Sequence, residues 1–206
     1  MISRLKTIFP EDWQYILDVY MRFLASTGAK VYNEDLLLVL IEIGVKLGER
    51  LFQLHPNGFV EIGCGLSIPS LTLAKLGHTG GIAIDVDPKV LSYAEKIRDH
   101  LGCTLEFQCS DIFKNRPKLK DGDLLIAEKP TSYKKSILEV EYNIRNWCAI
   151  ERHNLALIPS YINTDTLDSY SERCAKYEKK MKQVGFKVEN EKVCDELPFR
   201  WLIAIK

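Results

Sequence analysis

The chain has 206 residues, 28 basic against 28 acidic side chains for a formal net charge of zero, and 46% hydrophobic residues. That is the length of a single α/β domain with a small addition, and the apolar share is enough for one continuous core. The even charge balance argues against a protein that grips nucleic-acid phosphates through an overall basic excess.

Residues 11–25 carry Trp13, Ile16, Leu17, Tyr20, Phe23 and Leu24 at helical spacing, and Ser26-Thr27-Gly28 stops the run. Asn33 is placed to cap a second helix reaching to about Leu54, apolar on most sides and therefore expected to be buried. These two helices precede the first strand, so residues 1–54 are expected to form a helical appendage and not an independent domain. From there the pattern alternates, with strands expected at 58–62, 82–86, 104–109, 123–127 and 154–158, and helices at about 68–77, 88–101 and 133–150. A helix over 165–184 places Leu167, Tyr170, Cys174, Tyr177, Met181 and Val184 on one stripe, read as core. Its other face holds Arg173, Lys176, Lys179, Lys180 and Lys182 and reads as solvated surface. Two last strands, at about 186–193 and 199–205, read as an antiparallel pair.

The six cysteines, Cys64, Cys103, Cys109, Cys148, Cys174 and Cys194, form no C-x-x-C pair, and the four histidines are scattered. Neither a disulfide framework nor a metal site is expected, and thiols read as reduced point to the cytoplasm. The N-terminus lacks a signal-peptide layout. The most apolar run, Leu36 to Val45, contains Glu42 and is too short to span a bilayer, so no membrane role is expected.

The chemistry concentrates after the first two strands. Strand one runs into Glu61-Ile62-Gly63-Cys64-Gly65-Leu66-Ser67, and strand two ends at Asp85, 20 residues after Gly65. Glycines there let backbone approach a ligand, and an acid closing the second strand accepts hydrogen bonds from ribose hydroxyls, the layout an adenosine-containing cofactor needs. A dinucleotide site asks for a third glycine where this chain has Ile68. It would also set the Glu61 carboxylate against a pyrophosphate, which is repulsive. A cationic cofactor suits Glu61 better, and S-adenosylmethionine (SAM) carries an ammonium and a sulfonium.

The run Val60-Glu61-Ile62-Gly63-Cys64-Gly65-Leu66-Ser67 resembles motif I of the class I SAM-dependent methyltransferases, with Ser67 where the last glycine usually stands. Serine is small enough to fit and is expected to cap the next helix. Ile84-Asp85-Val86-Asp87-Pro88 resembles the second family motif, and Cys109-Ser110-Asp111-Ile112-Phe113 the third. The resemblance covers residues 55–206. It implies a doubly wound, mostly parallel seven-stranded sheet with an antiparallel last strand, SAM as cofactor and S-adenosylhomocysteine (SAH) as product.

It also implies the cofactor residues. Glu61, Gly63, Cys64 and Gly65 would hold the methionine moiety, Asp85 the ribose, Val86 the adenosine beside it, Asp111 the adenine amino group and Ile112 the ring face. For Asp111 the alternative is a helix or turn cap. Glu128 in Ala127-Glu128-Lys129-Pro130-Thr131 stands where the family faces the transferring methyl, and is the catalytic candidate. Lys129, Tyr133, Tyr161 and Tyr32 are the substrate-contact candidates. The segment lacks the (D/N)-P-P-aromatic pattern of enzymes acting on exocyclic base amines and has no Pro-Cys pair. A small molecule or protein side chain is therefore favoured as acceptor, with RNA left open. The alternatives are a SAM-binding protein without turnover, kept open by the weak match at 128–131, and an NAD-dependent oxidoreductase, disfavoured by Glu61 and the missing glycine.

Overall fold

A computed structural model of the chain describes residues 3–28, 33–128, 139–141, 143–145, 154–158, 167–192 and 200–205. A seven-stranded sheet has the strand order β3-β2-β1-β4-β5-β7-β6. Its strands are β1 Phe59–Ile62, β2 Gly81–Asp85, β3 Leu105–Cys109, β4 Leu124–Glu128, β5 Asn154–Ile158, β6 Lys187–Lys192 and β7 Arg200–Ile205. β2 pairs parallel with β3, β1 with β4 and β4 with β5, while β7 runs antiparallel to both β5 and β6. All seven expected strands are present. The second ends one residue earlier than expected, which leaves Val86 outside it and 59% exposed.

The chain divides into two compact units, Met1–His55 with Cys64–Arg116, and Pro56–Gly63 with Pro117–Lys206. The first holds helices α1 Ser3–Ile8, α2 Trp13–Ser26, α3 Glu34–Phe52, α4 Ile68–Lys75 and α5 Pro88–Leu101, with β2 and β3. The expected cap of α3 is made, Asn33 Oδ1 accepting from the Asp35 N–H at 3.0 Å. The sequence pattern missed α1, a six-residue helix too short to show a period. It exists because Glu42, buried at 2% exposure within α3, accepts from the Arg4 and Leu5 N–H groups at 3.0 and 2.7 Å. Those are donors that a first turn leaves unpaired, and the positive helix end offsets the buried charge. Arg4 also pairs with Glu49, which raises its pKa.

α3 and α4 cross at backbone distance. A Cβ added at Gly48 would lie 2.5 Å from Thr72 Cβ and 2.7 Å from the Pro69 carbonyl oxygen. One added at Gly44 would lie 2.9 Å from Ile68 Cβ. The two glycines, one helical turn apart, are therefore the contact surface itself. Around them Ile41, Leu51, Leu71 and Leu73 are fully buried.

In the second unit β1 is buried along its whole length and β4 through Ala127, the pattern of parallel strands covered on both faces. Asn57 aligns their starts: its N–H donates to Gly122 O at 3.1 Å and its Nδ2 to Asp121 O at 3.1 Å. Residues 139–141 and 143–145 are helical, and the rest of the expected 133–150 helix lies outside the described residues. Helix α6, Leu167–Gln183, buries Tyr170, Cys174, Tyr177 and Met181 as its spacing indicates. Val184 does not join that stripe; it follows the helix in a turn and is 43% exposed. Arg173 is likewise not simply solvated, since its guanidinium lies 5.1 Å from the Tyr170 ring centroid. Among the described residues no helix is long and apolar enough to cross a membrane.

Candidate functional site

Three loops of the first unit are stitched together at the carboxyl ends of its strands. The Cys64 N–H donates to Ile84 O at 3.1 Å, the Gly65 N–H to Asp85 Oδ2 at 2.9 Å, and the Ser110 N–H to Asp85 O at 2.9 Å. The glycine turn, the end of β2 and the end of β3 thus share one backbone network centred on Asp85. The second carboxylate oxygen, Oδ1, accepts from the Asp87 N–H at 3.0 Å. A carboxylate offers about four acceptor sites, so both oxygens are oriented by the backbone and still hold capacity for a ligand.

The turn itself leaves room. Gly65 adopts φ 54°, and a Cβ there would meet nothing within 4 Å. Ser67 follows at φ 59°, ψ 38°, left-handed, with its N–H closing a turn on Cys64 O at 2.7 Å. Its side chain does not cap α4, contrary to expectation. In the left-handed conformation the backbone is turned away from the geometry a capping side chain requires, and what the position demands is positive φ. That is why a glycine there is the natural choice, and serine bears some strain.

Val86 stands exposed just past β2, and Ile112, half-buried, lies in the loop after β3. Asp111 makes the turn-cap alternative: its Oδ1 accepts from the Phe113 N–H at 3.0 Å. Lys114 Nζ approaches its Oδ2 at 3.9 Å. Cys64 is buried, its Sγ 3.6 Å from Gly65 O.

In the second unit Glu61 is 1% exposed on β1 and level with Ile126 of β4. Gly63 follows β1 at φ 60° with open space where a Cβ would sit. Ile62 pairs with Ala127, which precedes Glu128, the half-buried last residue of β4. Lys129, Tyr133, Tyr161 and Tyr32 lie outside the described residues.

The features of the first unit fit an adenosine cofactor: an acid fixed in place with spare acceptor capacity, an exposed apolar side chain beside it, and a glycine, Gly65, whose outer side is open. No family model and no curated protein sequence matches the chain. Solved structures do. Magnesium protoporphyrin IX methyltransferase from Synechocystis PCC 6803 with bound SAH is similar at a TM-score of 0.60 and 16% identity, over 99% of this chain and 100% of that one. Ribosomal protein L11 methylase from Lactobacillus delbrueckii subsp. bulgaricus gives 0.58 and 14%, over 79% and 76%. The Pyrococcus abyssi tRNA (uracil-54, C5)-methyltransferase in complex with SAH gives 0.52 and 13%, over 78% of this chain and 37% of that one. The chain has the class I methyltransferase fold.

In a methyltransferase fold the loops after β1, β2 and β3 lie at the edge where open α/β sheets take ligands, and that edge carries Gly65, Asp85, Val86, Asp111 and Ile112. The sequence reading missed two contributors near it. Lys89 donates through Nζ to Ser26 O at 2.6 Å, and Tyr20 and Phe23 of α2 pack against a cluster that includes Leu66 of the turn. Neither contact has a local sequence signal, because each joins residues far apart in the chain.

Proposed function

We propose that the chain is a SAM-dependent methyltransferase that acts on a small molecule or a protein side chain and releases SAH. The observation that carries this reading is the Asp85 carboxylate, held by the Gly65 and Asp87 N–H groups beside the exposed Val86. An acid oriented in this way is suited to a pair of neighbouring ribose hydroxyls, and Val86 and Ile112 to the faces of an adenine ring. Asp111 retains Oδ2 for the adenine amino group. From the motif they occupy, Glu61 is assigned to the cofactor ammonium, and Gly63, Cys64 and Gly65 to close backbone approach.

When bound, SAM supplies a methyl group made electrophilic by its sulfonium. What the protein adds is alignment of the acceptor atom and exclusion of water, which can supply much of the rate without a strong base. Glu128 is assigned to orient or deprotonate the acceptor, and Lys129, Tyr133, Tyr161 and Tyr32 to contact the substrate. Residues 1–54 are proposed as the appendage that adapts the fold to its acceptor. The neutral overall charge favours a small or protein substrate over RNA.

Isothermal titration with SAM, SAH and NAD tests the cofactor. Binding of SAM and SAH but not NAD is expected, and NAD binding alone would replace the reading with an oxidoreductase. Transfer of label from SAM to an acceptor in a cell extract then separates an enzyme from a protein that merely binds SAM.

A further inference from the structure

Helix α2 is fastened along α5 at three levels, the first shared with the end of α4. At its start Asp12 accepts from Lys75 Nζ at 3.2 Å and lies 3.1 Å from His100 Nε2, while Tyr15 stacks on the His100 ring at 3.8 Å. Midway, Tyr20 and Phe23 pack against the buried cluster of Leu66, Val90 and Ala94, and Phe23 meets Tyr93 edge-on at 5.7 Å. At its end Lys89 Nζ donates to Ser26 O at 2.6 Å. Leu66 belongs to the glycine turn. Lys89 is tied to the ribose-side loop through its own backbone, since its N–H donates to Asp87 Oδ1 at 2.8 Å and the Asp87 N–H to Asp85 Oδ1 at 3.0 Å. Lys89 thus links the two regions covalently, its ammonium bound to Ser26 O and its backbone N–H to Asp87, which in turn donates to Asp85.

We infer that Lys89 is a positioning residue for the cofactor site. By gripping a carbonyl at the C-terminal end of α2 it seats Tyr20 and Phe23 behind Leu66, and this holds the glycine turn and the Asp85 loop in the geometry that receives the ligand. An ammonium at a helix C-terminus is favourable, and because Lys89 is exposed the grip is reversible and weakened by salt. The role of α2 is then to set how firmly the turn is held without touching the cofactor. This inference rests on the reading of that edge as a SAM site.

The test compares Lys89→Met, which keeps the aliphatic stem and removes the donor, with Lys89→Arg, which restores it. Three quantities are measured: SAH affinity by titration, amide exchange across residues 20–26 and 64–67, and ligand-free stability in urea. Lys89→Met is expected to speed exchange in both segments and to weaken SAH by about three- to fivefold, the scale of a charge at a helix end, with little change in global stability. Lys89→Arg should return both to the parent values. Unchanged exchange at 64–67 in Lys89→Met overturns the inference, as does faster exchange spread evenly over the whole chain with a matching loss of stability. If the parent protein binds no SAH, the methyltransferase reading falls instead, and exchange at 64–67 still decides whether Lys89 holds the turn.

Discussion

Asp85 Oδ2 accepts the Gly65 backbone N–H at 2.9 Å, so the acid at the end of β2 and the turn after β1 hold each other in place. Asp85 consequently has a part in the ligand-free protein as well as the proposed part on the ribose. Asp85→Ala is expected to weaken SAH by about 1.5–3 kcal/mol, the cost of lost hydrogen bonds to a charged group. It should also lower ligand-free stability by about 0.5–1.5 kcal/mol, because the Gly65 and Asp87 donors lose their acceptor. Titration and urea unfolding of the same sample check both. Unchanged affinity in a folded variant would remove Asp85 from the site.

Asp85 also illustrates what was legible in the sequence. A strand ending in an acid, 20 residues after a glycine turn, fixes where the two loops lie along a parallel sheet, because strand direction and connection handedness leave few choices. The cap at Asn33 was legible for the same reason, being a local backbone event. What was hidden is tertiary. Glu42 looks like a stray charge in an apolar run until α1 is seen to begin on it, and Ser67 looks like a helix cap until its φ is known. Gly44 and Gly48 offered a hint that went unread, since glycines inside a helix are unfavourable and usually have a packing reason.

That packing reason predicts the outcome of Gly48→Ala. On propensity alone alanine would stabilise the helix by about 1 kcal/mol. Here the new Cβ meets Thr72 Cβ at 2.5 Å and the Pro69 carbonyl at 2.7 Å, and a backbone oxygen does not swing aside. Overpacking of this kind costs about 1–3 kcal/mol, so net destabilisation is expected in urea unfolding. A more stable variant would show that α3 and α4 do not meet at this distance.

Ser67 predicts a contrast between two substitutions. A non-glycine residue in the left-handed region bears about 1–2 kcal/mol of strain, which glycine relieves at an entropic cost of about 0.5–1 kcal/mol. Ser67→Gly should therefore leave stability unchanged or raise it by up to about 1 kcal/mol. Ser67→Val adds a branched Cβ at φ 59° in a position only 1% exposed, and a loss of at least about 2 kcal/mol is expected. Equal stability of the two variants would mean that the turn can adopt another backbone conformation.

The second unit predicts a response to alkali. Burial raises the Tyr170 and Tyr177 phenols well above their ordinary range, with the Cys174 thiol adding to the shift at Tyr170 and a hydrogen bond to Glu141 at Tyr177. The folded state thus keeps protons that the unfolded chain releases near about pH 10. Their contribution is complete below that value and is lost as pH rises from it toward the folded pKa values. Stability in urea should fall steeply above about pH 10, and less steeply in Tyr170→Phe. The Tyr170 hydroxyl lies 3.5 Å from the Arg200 backbone and also hydrogen-bonds Cys174, so the variant is compared with the parent by the slope of stability against pH and not by its absolute stability. Normal phenolate titration of all nine tyrosines in the folded protein would contradict this.

Glu128 carries the most exposed prediction, because it concerns chemistry. It closes β4 one residue after Ala127, the register partner of Ile62, the last residue of β1 before the glycine turn. A carboxylate at that place can orient an acceptor amine, thiol or hydroxyl, or take its proton, without holding the cofactor. Loss of an interaction made in the transition state lowers turnover and leaves ligand affinity alone. Glu128→Gln is therefore expected to bind SAH as the parent does and to transfer label from SAM at least ~10-fold more slowly, the lower edge of acid–base effects. Weaker SAH binding would make Glu128 a cofactor residue instead. Unchanged binding with unchanged transfer would leave the carboxylate outside the reaction and turn attention to Lys129 and the tyrosines assigned to the substrate.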